Sequence, residues 1–168
     1  MRVFAAMCAL LAAMLAVPGF AATAPRLGVA SLSELSVPDA PFDASANADA
    51  AVDAAFARAK TSGKRVLIDL GGNWCADCRI LSGLMELPGM HAFLAAHYEM
   101  VSVDVGRFNR NLQIPARFGI TERLAGVPAI LVATADGTLV NRGQVSAIED
   151  ARHMTPQALA DWLAQWST

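Results

Sequence analysis

Apolar and polar positions along this chain fall into blocks, each with its own period. Val3 to Val17 is a wholly apolar run of 15 residues behind the single charge of Arg2, and Pro18, Gly19 and small residues follow it. That is the pattern of a secretory signal peptide, residues 1–21, cleaved after Ala21; the run is shorter than the roughly 20 apolar residues a spanning helix needs. From Ala22 to Ala48 the chain is rich in Ala, Ser, Pro and Asp and has little periodicity, which predicts a loosely ordered arm. Regular structure is expected to begin near Asn47 or Asp49, where Val52, Phe56 and Ala59 recur at helical spacing until Gly63. RVLIDL, residues 65–70, then reads as a buried strand.

Gly71 and Gly72 break that strand, and Cys78, Leu81 and Met85 mark a helix that runs until Pro88 interrupts it. A second short helix carries Met90, Phe93, Leu94 and His97 on one face, and EMVSVDV, residues 99–105, alternates as a strand. A short helix is expected between Asn111 and Phe118, its start limited by Pro115. VPAILVATADGTLVNRG reads as two strands joined around Ala135, Asp136 and Gly137. The last element has Thr155 as N-cap, Pro156 at the first helical position, and a stripe of Leu159, Trp162, Leu163 and Trp166 that core packing accounts for. No repeats interrupt this order. It predicts an α/β domain with a central mixed sheet and helices on both faces.

Composition narrows the function classes. Without the signal segment the chain keeps 12 basic and 15 acidic residues, net charge −3, with no Lys/Arg cluster, which argues against a nucleic-acid partner. No later stretch is long and charge-free enough to span, so no stable membrane insertion is expected after cleavage. Of three cysteines, Cys8 lies within the apolar run, leaving Cys75 and Cys78, too few for a disulfide-built scaffold in an exported domain.

These two sit in NWCADC at the mouth of a predicted helix. Only a thiolate attacks a disulfide, and free cysteine has a pKa of about 8.5; a helix start lowers it, because unpaired N–H groups and the dipole favour a negative sulfur. Cys78, about one turn deeper, can resolve the mixed disulfide that Cys75 would form. A zinc site would need four ligands, and beyond the cysteines there are only His91, His97 and His153, without metal spacing. A structural disulfide that closes so short a loop gains little. The chemistry of a redox dithiol fits better than either, with no metal and no cofactor required.

RVLIDLGGNWCADC resembles the active-site segment of the thioredoxin superfamily, and GVPAILV and ADGTLV with Gly143 resemble its proline-led strand and closing hairpin. The resemblance spans Asp49 to Trp166 and implies a thioredoxin-like domain over residues 49–168. It implies that Cys75 is the exposed nucleophile, Cys78 the resolving thiol and Asp69 the buried acid that takes the Cys78 proton. It further implies that Pro128 is a cis-proline facing the pair, that Val127 offers its backbone to an extended substrate, and that Trp74 shields the dithiol and contacts partners. In the strand, Asp69 should have a pKa raised by desolvation; the alternative is a strand-end carboxylate in solvent.

The chain departs from thioredoxin in its intervening pair, Ala76 and Asp77, where thioredoxin has Gly-Pro, and in a longer segment from Thr121 to Val127; it looks more like exported bacterial thioredoxin-like proteins. Ala76 and Asp77 are the redox-tuning positions. Asp77 near the sulfurs disfavours a second anion and so favours reduction, unless it points into solvent. The expectation is therefore a periplasmic or otherwise exported thiol–disulfide oxidoreductase that reduces client proteins with electrons from a membrane donor protein. An oxidase or isomerase, and a non-catalytic adaptor, remain as alternatives.

Overall fold

The computed structural model describes residues 21–167. The expected signal segment, Ala21 apart, lies outside the described residues.

Helix α1, Ala48–Ser62, starts where Asn47 accepts the N–H of Ala50 and stops where Gly63 turns left-handed at φ 74°. Its buried positions, Val52, Ala55 and Ala59, follow helical spacing and are small, so the helix lies close against the sheet. Strand β1, Arg65–Gly71, is buried along nearly its whole length because it is the central strand. It pairs in parallel with β2, Tyr98–Asp104, and antiparallel with β3, Ala129–Ala133, giving the sheet order β2-β1-β3. Between β1 and β2 run α2, Ala76–Met85, and α3, Pro88–His97. Pro88 does not only interrupt α2 but opens α3, where its missing N–H costs nothing. Helix α4, Gln113–Ala116, is a single turn, and α5, Pro156–Ala164, is capped by Thr155.

Strand alternation divides the core in two. Val66, Ile68 and Leu70 pack with α1 and Ile114 of α4 on one face. On the other face Leu67 packs with Leu81 and Leu84 of α2, Met90 and Leu94 of α3, and Leu159 and Leu163 of α5. The sheet is thus mixed and covered on both faces.

Two expectations are corrected. The closing hairpin has no second strand: only Ala133 and Leu139 form a bridge. The reason is Asn141, fully buried, whose side chain accepts from the N–H of Val132 at 2.9 Å and donates to the carbonyl of Ile130 at 2.7 Å. One amide side chain thus makes the two bonds that a backbone segment would otherwise supply. The arm is not loose either. The N–H of Ala22 donates to Ser167, that of Leu27 donates to Gln157, and Leu35 and Phe42 are buried in the two core clusters. The first two contacts span more than a hundred residues, and none leaves a local periodic trace.

Candidate functional site

The site forms where β1 ends and α2 begins. Gly71 is the last residue of β1, and a Cβ there would come within 2.5 Å of the Phe42 ring and 3.0 Å of Cys78 Sγ, so only glycine leaves room for both. The turn that follows brings Cys75 to the N-cap of α2, with the N–H of Cys75 donating to the Gly72 carbonyl.

Cys75 and Cys78 are joined as a disulfide, with their Cα atoms 5.3 Å apart. The N–H of Cys78 donates to Cys75 Sγ at 3.1 Å. This is the helix-start interaction that stabilises a thiolate on Cys75 once the pair is reduced. Cys75 Sγ also lies 3.4 Å from the Val127 carbonyl oxygen, to which a thiol could donate. Cys75 retains 5% exposure and Cys78 none. The accessible sulfur is therefore Cys75, though it is far more covered than an openly exposed nucleophile. The Val127–Pro128 peptide bond is cis, and both residues are buried.

Asp69 lies within β1, paired with Ser102 on one side and Ile130 on the other, rather than at an open strand end. Positions 67, 69 and 71 share a face. Leu67 packs on α2 and Gly71 abuts the Cys78 sulfur, so Asp69 sits beneath α2 between them. It is 1% exposed, and neither carboxyl oxygen has a hydrogen-bond partner. Desolvation by burial raises its pKa to about 7. A carboxyl group tuned to neutral pH can both hold and release a proton there.

Asp77 neither points into open solvent nor faces the sulfurs as a lone charge. Its Oδ1 accepts from the backbone N–H and the Nε of Arg152, each at 2.9 Å, and its Oδ2 accepts from Nε at 3.0 Å and from Nη2. Burial pushes the Asp77 carboxyl up, but the hydrogen bonds and charge of Arg152 outweigh this and hold it below the usual range. The expected effect of Asp77 on the dithiol is thus largely neutralised by a residue 75 positions away. Ala76, half-buried in the same turn, makes no polar side-chain contact of its own.

Trp74 is 43% exposed and is fixed by its Nε1, which donates to the Gly106 carbonyl at 2.6 Å, and by an edge contact with Phe108 at 6.2 Å. Sequence reasoning missed four contributors. Phe42 covers the Cys78 side of the site. Asn73 fixes it there by accepting the N–H of Phe42 at 2.9 Å and donating to its carbonyl at 2.8 Å. Arg152 holds Asp77, and Phe108 braces Trp74. An isolated phenylalanine in a proline-rich arm was the one available signal; nothing local marks Arg152.

Comparisons with known proteins agree with this geometry. Residues 47–135 match the family described as thioredoxin-like. A stretch of 91 residues, 52% of this chain, is 35% identical to thiol:disulfide interchange protein DsbD 1 of Pseudomonas aeruginosa, of which it covers 14%. The solved structure of a disulphide isomerase from Xylella fastidiosa Temecula1 superposes with a TM-score of 0.68 at 35% identity, over 74% of this chain and 95% of that one. The chain belongs to the thioredoxin-like family.

Proposed function

We propose that this thioredoxin-like protein is a thiol–disulfide oxidoreductase that works outside the cytoplasm as a reductase of client-protein disulfides. Cys75 thiolate attacks one sulfur of a client disulfide, forming a mixed disulfide and releasing the client's other sulfur as a thiolate. Cys78 gives its proton to Asp69 and attacks Cys75 Sγ, forming the intramolecular disulfide and releasing the second client thiol. Two electrons have then passed to the client. A dithiol on a membrane donor protein restores the reduced pair, and the apolar leader at residues 3–17 supports export. Trp74, Val127 and Pro128 border the client's path to Cys75.

The observation that carries this reading is Asp69: a fully buried, unpartnered carboxyl under α2, with its pKa raised to about 7, has no structural use but suits the proton transfer that resolution needs. The reducing direction is supported by a Cys75 sulfur that receives one backbone N–H from α2, with no histidine in the intervening pair to hold the thiolate further. The name of the Xylella fastidiosa neighbour favours a second reading, isomerisation, in which the same residues shuffle client disulfides.

Two measurements test the proposal. Cys78→Ser should trap client proteins as mixed disulfides on Cys75; no adduct would instead favour an adaptor. The reduction potential, from equilibration in glutathione buffers, should lie near or below about −250 mV; a value near about −120 mV would reverse the direction.

A further inference from the structure

We infer that the surface beside Trp74 selects client segments that carry acidic side chains next to an apolar anchor, an inference that rests on the thiol–disulfide reading above. Trp74 and Leu112, 43% and 40% exposed, are the two most exposed large hydrophobic side chains among the described residues. Between them Phe108 touches the Trp74 edge and lines a cavity of about 440 Å³ together with Leu112, Ile120 and Leu124. Phe108 thus joins the cavity to Trp74, the residue next to Cys75. Phe108 is held at φ 62°, a left-handed backbone that a bulky residue adopts only under constraint from its surroundings. The constraint sets its ring in this row.

Two guanidinium groups flank the row. Arg107 stacks on Trp74 at 4.8 Å from the ring centroid and Arg123 on Phe108 at 4.4 Å. Arg110, Arg117 and Arg152 are by contrast held by carboxylates, Arg110 by Asp104, Arg117 by Asp49 and Asp53, and Arg152 by Asp77, while Arg65 and Arg142 donate to backbone carbonyls. Arg107 and Arg123 take part in no ion pair among the described residues, and stacking leaves their N–H edges available to a partner. Glu122 also lines the cavity, so the three charges sum to +1 on a chain whose net charge is −2. A positive, aromatic-backed strip on an acidic protein fits an acidic segment with one apolar side chain in the cavity, and the field of the strip would speed its approach.

The test mixes the reduced protein with oxidised peptides that share one disulfide and one leucine and differ only in flanking Glu or Lys residues. Second-order rate constants are followed by tryptophan fluorescence, and each is divided by the same variant's rate with hydroxyethyl disulfide. The Glu peptide should react at least about tenfold faster than the Lys peptide at low salt, with the ratio falling toward one as salt is raised. Arg107→Glu with Arg123→Glu should invert the order; Arg107→Gln and Arg123→Gln singly should each shrink it if the double variant does not fold. Equal rates for the two peptides, or a ratio indifferent to both arginines, would overturn the inference. So would self-association that the arginine variants abolish, which would place a second copy on this surface. Failure of the wild-type protein to react with hydroxyethyl disulfide would instead sink the thiol–disulfide reading itself.

Discussion

Replacing Asp69 by asparagine should change the pH dependence of stability in one defined window. In the unfolded chain the Asp69 carboxyl titrates near its ordinary 3.8; in the folded protein desolvation raises it to about 7. Below about pH 4 the group is protonated in both states and has no effect. Between about pH 4 and 7 the unfolded chain releases the proton while the folded protein keeps it, so stability falls as pH rises, and above 7 the loss is complete. A shift of about 3 units at about 1.36 kcal/mol each gives about 4 kcal/mol, a large share of the 5–15 kcal/mol typical of a domain. Buried asparagine adds a cost of its own, but one independent of pH. The assay is urea unfolding of the disulfide form of both proteins at pH 4, 5, 6, 7 and 8. Every other titrating group is common to the two, so the difference in unfolding free energy isolates Asp69. It should move by about 4 kcal/mol against the wild type between pH 4 and 8, with most of the change complete by pH 7. A difference that stays flat to within about 1 kcal/mol would show that Asp69 is hydrated or partnered in solution and would remove the physical basis for its role as proton acceptor.

Two further perturbations address other parts of the structure. Asn141→Ala strands the N–H of Val132 and the carbonyl of Ile130, two buried groups at about 1–3 kcal/mol each, so the melting temperature should fall by roughly 10 °C; a drop under about 2 °C would mean that backbone or water replaces the amide. Arg152→Met leaves the Asp77 charge uncompensated in the first turn of α2, which at an intermediate effective dielectric costs a nearby thiolate on the order of 1 kcal/mol and lowers the reduction potential by about 20 mV. Adding Asp77→Asn should restore it, and a potential indifferent to both changes would make the pair purely structural.

How much of this was legible in the sequence depended on range. Helices α1 and α5 and strand β1 announce themselves through the apolar spacing of Val52 and Ala59, the Thr155–Pro156 start, and the unbroken RVLIDL run, all set within a few residues. The dithiol was equally plain, because its chemistry needs two cysteines one turn apart at a helix start. What escaped was decided by distant partners. ADGTLV has the composition of a hairpin, but the buried amide of Asn141 replaced the second strand. Asp77 read as a charge beside the sulfurs until Arg152, 75 residues on, was found to hold it. Phe42 read as part of an arm, yet it is one wall of the site because Asn73 pairs with its backbone.

The Asn141 arrangement also bears on whether this sheet can recruit another chain. Strand β3 is an outer strand, and outer strands offer a template for edge-to-edge aggregation. Its outward backbone groups are all engaged: the N–H of Ile130 by the Val145 carbonyl, the Ile130 carbonyl and Val132 N–H by Asn141, the Val132 carbonyl by the Val140 N–H, and the Thr134 N–H by the Thr138 carbonyl. A side chain and a loop thus close the border that a fourth strand would only have moved outward. The protein gains a sealed edge on that side with no further strand left to be sealed in turn.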